Sequence, residues 1–169
     1  MATTARAAPR VSLKPELFDR VLAGASIVLL VFVLAALARG YGEWSIVPPF
    51  VWGHIFTILI ALTLTPVMLL RRRGDRLHRR LGWIWAASMA LTAALTFGIR
   101  GINSGSLSLI HILSAWTLIQ VPLIVWAARN HQHLRHRNSV RGMVAGALLI
   151  AGFFTFPFDR LMGQWLFGY

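Results

Sequence analysis

The chain has 169 residues, 57% of them hydrophobic and 13% charged, with a net charge of +12, a mean hydropathy of +0.65 and no cysteine. That balance excludes an ordinary water-soluble domain and indicates a membrane protein. The missing cysteines exclude disulfides, thiolate metal sites and covalent haem attachment, so any cofactor is held noncovalently.

Residues 1–20 read as a basic cytoplasmic leader and 21–169 as a single transmembrane helical domain. Five apolar runs approach the ~20 residues that cross a ~30 Å hydrocarbon core. They cover Val21–Ala38, Val51–Leu70, Leu81–Ile99, Leu107–Ala128 and Met143–Phe158. Lipid offers no partner for the backbone of an open strand or loop, so the expected fold is an all-α integral membrane bundle of five spans. Ala36-Leu37-Ala38 resembles a small-residue cleavage site, but the 18-residue run before it and its 20-residue leader fit a retained anchor better.

The positive charge is distributed by topology. Fourteen of the seventeen Lys and Arg residues precede the first span or fill the loops after the second and fourth. Arg39, Arg100 and Arg160 fall on the other side. This positive-inside asymmetry predicts a bacterial inner-membrane protein with its N-terminus in the cytoplasm and its C-terminus in the periplasm. It predicts the lipid bilayer and its anionic headgroups as partners and no nucleic acid. Tyr41, Trp44, Trp52, Trp165 and Tyr169 are expected at the outer interface, and Trp83, Trp85 and Trp126 at the inner one. Trp116 lies deeper in the fourth span and is expected to be a packing residue.

Spans 2–3 and 4–5 read as an internally duplicated two-helix unit. Each copy opens with His-Ile, at His54 or His111, and carries a late proline, Pro66 or Pro122. Each then enters an Arg- and His-rich stretch that ends at Gly82 or Gly142. The step from His54 to His78 is 24 residues, and that from His111 to His136 is 25. One histidine thus falls near each membrane face in both copies. Intramembrane ionisable side chains are functional by default, and Glu16, Asp19, Glu43, Asp75 and Asp159 all fall in loops or flanks, which argues against ion-coupled transport. His54 and His111 stand at one depth on equivalent helices, as a bis-histidine haem b site requires. Thr57, Ala61 and Thr65 line the first of these helices, and Ser114 and Ala115 the second. His78 and His136 are a weaker second pair, because His131 and His133 compete with His136.

The stretches HRRLGWIW, SLIHILSAWTLIQVPLIVWAAR and FPFDRLMGQWLFG resemble a bacterial family of multi-pass membrane proteins catalogued as a domain of unknown function, family 2306. The resemblance runs from about Val51 onward and implies a small inner-membrane protein without an assigned activity. The order His54, His78, His111, His136 is also similar in layout to di-haem transmembrane b-type cytochromes. In those proteins the first and third helices hold one haem and the second and fourth the other, an analogy of arrangement only. It implies electron transfer with a quinone or another redox partner. The alternative is a non-redox membrane binding or assembly subunit. Ser108 and His111 share a helix face, but there is no nucleophile elbow and no acidic orienter, so a serine hydrolase is excluded and Ser104 or Ser106 reads as a helix cap.

Overall fold

A computed structural model describes residues 14–99 and 109–168 of the chain. Among the described residues every regular element is helical. Helix α1 is Leu17–Arg39, followed by a short 3-10 turn, Tyr41–Ile46. Helix α2 is Pro49–Leu70, α3 is Arg76–Thr96 and α4 is Leu109–Arg129. Helix α5 is continuous through His133–Met143, a π-helical stretch Val144–Ile150 and a last turn Ala151–Phe153. Helix α6 is Leu161–Phe167.

From α1 to α5 each helix packs on the next in sequence, the π-helical part of α5 closes the ring against α1, and α6 packs on α1. The seam is built from small and aliphatic side chains, with Ala36, Ala61, Leu62 and Met143 essentially inaccessible. The stripe Thr57, Ala61, Thr65 faces inward as its spacing predicts, and so does Ser114, whereas Ala115 is exposed. Close approach is strictest at Gly40, where an added Cβ would lie inside the Trp165 ring. That contact seats α6 on the end of α1.

Three helices are long and apolar enough to cross a membrane: Leu17–Arg39, Pro49–Leu70 and Ile110–Arg129. They correspond to the expected first, second and fourth spans, although Leu107 and Ser108 lie outside the described residues. The other two expected spans emerge as helices with basic first turns. Helix α3 starts five residues before Leu81, taking in Arg76, Arg79 and Arg80. Helix α5 starts ten residues before Met143, so the second basic loop is largely helical. It ends at Phe153, short of the expected Phe158, and the chain then turns through Phe158 and Asp159 with φ of 63° and 54°.

The boundary of the leader also moves. Asp19 belongs to α1, where Glu16 and Asp19 form a capping box: the Asp19 carboxylate accepts from the Glu16 backbone N–H at 2.8 Å. Two of the expected interfacial aromatics are buried. Trp85 donates to Thr65 Oγ1 at 2.9 Å, and Trp165 to Glu43 Oε2 at 2.9 Å. Tyr41, Trp44 and Trp52 form an edge-to-face cluster with 5.0 Å between successive ring centroids, and Trp83 and Trp126 are exposed. Trp116 is exposed rather than packed. The expected caps Ser104 and Ser106, together with Arg6, Arg10, Arg100 and Tyr169, lie outside the described residues.

Candidate functional site

The first turns of α3 and α5 are set by two different local devices. Asp75 caps α3: its carboxylate accepts from the His78 backbone N–H at 2.6 Å and pairs with Arg71 at 2.7 Å. The preceding reversal uses Gly74 at φ 90°, a conformation that favours glycine. Helix α4 ends in a Schellman arrangement, with Gln132 N–H bonded to the Ala127 carbonyl at 2.9 Å and His131 N–H to that of Ala128 at 3.3 Å. There the left-handed position is filled by His131, at φ 54°. Both reversals are tight, and each leaves a histidine in the first turn of the next helix: His78 in α3 and His136 in α5.

These two histidines line one cavity of about 430 Å³, enclosed by the last turns of α2 and α4 and the first turns of α3 and α5. That is within the ~300–1,000 Å³ of small-molecule and cofactor sites. Its walls are mainly apolar, with Leu69, Trp85, Ile124, Val125 and Val144 prominent, and its rim carries Arg73, Arg79, Arg129 and Arg137. The Thr65 bond fixes the Trp85 indole in the wall.

The imidazoles are prepared differently. His136 Nδ1–H donates to the Ile124 carbonyl at 3.1 Å, which leaves the Nε2 lone pair for a ligand. His78 Nδ1 is buried and, among the described residues, has no hydrogen-bond partner. Burial lowers the pKa of both rings; His136 lowers that of His78 further, and Arg73 that of His136. Both histidines precede the apolar spans and are held neutral, as metal ligation or hydrogen-bond acceptance requires.

Beside this cavity lies a cluster of charges that the loop pattern did not reveal. Asp19, with 0% exposure, takes Arg73 at 2.6 Å and Arg141 at 2.8 Å. Glu16 takes Arg137 and, at 2.9 Å, Arg141. The start of α1 therefore clasps both basic segments, the one after α2 and the one within α5. The available signal was the E-x-x-D spacing at Glu16 and Asp19, a variant of the capping box. These arginines, read from sequence as a topology device and as partners for anionic headgroups, also hold the protein together.

The other predicted pair is arranged otherwise. His54 Nδ1–H is shared between the Thr92 carbonyl and Thr96 Oγ1, each at 3.2 Å. It borders a second cavity of only about 120 Å³. His111 lines neither cavity; it is 3% exposed, with its ring 5.7 Å from that of Phe97. His131 and His133 lie 6.1 Å apart, ring to ring, at the mouth of the larger cavity. Among the described residues no three His, Cys, Asp or Glu side chains converge as a metal-binding group, so a metal here would rest on two histidines.

No family model, no curated protein and no solved structure matches this chain. The fold and site define an all-helical protein, three of whose helices can cross a membrane, with a histidine- and arginine-lined cavity at one end of the bundle.

Proposed function

We propose that the protein is a five-span, b-type haem-binding electron carrier of the bacterial inner membrane, in which His78 and His136 would hold the haem iron. The observation that carries the reading is the convergence of two neutral imidazoles, one from each basic segment, on a single apolar-walled cavity of cofactor size. The fit is chemical as well as spatial. His136 is held in the tautomer that presents Nε2, and His78 Nδ1 has no competing partner among the described residues. Haem bound there supplies one-electron transfer at a potential tuned by its ligands and by burial. Trp85, Ile124 and Val144 exclude water from the site, and the clasp at Asp19 holds its walls in register. The partners are a membrane quinone or a redox protein that reaches the cytoplasmic end of the bundle.

The five-span topology and the duplication belong to the same reading. The apolar part of helix α3, residues 81–96, reaches about 24 Å at 1.5 Å per residue, most of the way across a hydrocarbon core. Its basic first turn, like that of α5, fits the headgroup region, where arginines snorkel. In this topology the haem sits near the cytoplasmic face, with both termini placed as the charge asymmetry predicts. The outer pair His54 and His111 has weaker support, since the cavity beside His54 is far below the ~300 Å³ of typical cofactor sites.

The test is a spectrum of the protein purified in detergent. A Soret band that shifts on dithionite reduction is expected. His78→Ala and His136→Ala should each abolish it or convert it to a five-coordinate form, while His54→Ala and His133→Ala leave it unchanged. A colourless protein that takes up no haem favours the non-redox binding or assembly subunit instead. A native low-spin spectrum in the His78→Ala, His136→Ala double variant overturns the site.

A further inference from the structure

The charges around the cavity do not balance. Three guanidinium groups, those of Arg73, Arg137 and Arg141, meet two carboxylates, Glu16 and Asp19. Arg141 spends its Nε on Asp19 and its Nη2 on Glu16, and Arg73 Nη2 is bonded to Asp19. Arg137 is different: Nη1 goes to Glu16, while Nε is buried and has no hydrogen-bond partner among the described residues. Its side chain is only 14% exposed, and it lines the cavity. A buried guanidinium N–H without an acceptor is costly, and a surplus positive charge beside an apolar wall calls for an anion. The imidazoles of His78 and His136, neutral or protonated, carry no negative charge and do not supply one.

We infer that the cavity takes an amphipathic anion whose carboxylate is bound by Arg137 Nε and whose apolar body lies against Trp83, Trp85 and Val125. Resting on the haem reading above, this names the end of the group that the protein recognises: its acidic edge faces the Glu16–Asp19 clasp. The bond is a charge-assisted N–H···O contact in a partly dry site, strong enough to set the orientation of the ligand. The Glu16 contact holds Arg137 at the cavity wall, and a small turn of its side chain would bring the covered Nε to the ligand.

The test uses full-length protein in phosphatidylcholine nanodiscs, so that no anionic headgroup competes. The probes are iron-free protoporphyrin IX and its dimethyl ester, followed by porphyrin fluorescence. The diacid should bind about tenfold more tightly than the ester, the margin of one charge-assisted hydrogen bond. Arg137→Gln should erase that preference by weakening diacid binding while leaving ester binding intact. Arg72→Gln, which removes a basic side chain outside both the clasp and the cavity, should preserve the preference. Equal binding of diacid and ester by the unaltered protein overturns the inference, as does loss of the preference in Arg72→Gln to the same extent as in Arg137→Gln. Neither probe carries iron, so the result is independent of histidine ligation. A diacid preference that follows Arg137, beside a haem spectrum indifferent to His78 and His136, would sink the ligation reading and leave this one standing.

Discussion

At the scale of single residues, Asp75 shows how a local device delivers a functional side chain. Its carboxylate holds the His78 backbone N–H and an Arg71 guanidinium at once. The Arg71 hydrogen bond, with the His78 N–H behind it, lowers its pKa from 3.8 to about 2. A depressed carboxylate contributes stability above its unfolded pKa and loses it as pH falls through the folded one. The cap should therefore persist from neutral pH down past 4, with the His78 amide becoming exchangeable only as pH approaches about 2. Hydrogen exchange at that amide measures this; fraying already at pH 4 would show that the Arg71 pair does not hold the cap. Asp75→Asn keeps an acceptor but removes the charge, so its exchange should lose this acid dependence. His131 makes the complementary point, since a histidine occupies a left-handed position that glycine fills in the first loop, as Gly74. Its ring lies at the cavity mouth, where a glycine would contribute nothing.

At the scale of elements, α1 is the clasp and α5 the adaptable partner. Helix α1 lies outside the repeated unit read from sequence, yet its first turn binds Arg73 after α2 and Arg141 within α5. Removing one partner of a buried ion cluster leaves uncompensated charge, at a cost of roughly 3–5 kcal/mol. Asp19→Ala should accordingly lower stability by that order and release both basic segments, whereas Arg72→Ala should change little, because Arg72 is exposed and outside the clasp. Thermal melts in detergent compare the two; equal effects would remove Asp19 from its central place. The π-helical stretch Val144–Ile150 spans the region between the two cavities, with Val144 on the larger and Leu148 on the smaller. A π-helix holds an extra residue per turn and often marks functional positions.

At the scale of the whole molecule, the proposed orientation of the bundle rests on charge asymmetry together with helix order. The segments carrying Arg71–Arg80 and Arg129–Arg141 meet the start of α1 at one end of the bundle, and Glu43, Trp44 and Trp165 gather at the end of α1. Reporter fusions after Arg80 and Arg137 should therefore read as cytoplasmic, and fusions after Glu43, Ser104 and Tyr169 as periplasmic. A cytoplasmic reading at Tyr169 would mean that α5 does not cross. The bundle would then have four spans, and the second basic segment would need another reason for its place beside the first.

Much of the architecture was legible in the residues themselves. The lengths of the apolar runs mark α1, α2 and α4 because crossing hydrocarbon demands continuous apolar helix, a local property of sequence. The histidine spacing likewise placed His78 and His136 in matching basic segments just ahead of the third and fifth apolar runs. Helix starts inside charged stretches were not legible: caps such as Asp75 and the Glu16–Asp19 pair override composition there. Nor was the choice between histidine pairs. Depth along a helix follows from counting, but which faces meet, and how much space they leave, depends on packing between helices. That packing opens about 430 Å³ between His78 and His136 and only about 120 Å³ beside His54. It also turns arginines placed by topology into partners for Asp19 and Glu16, an arrangement made by residues more than 50 positions apart in the chain.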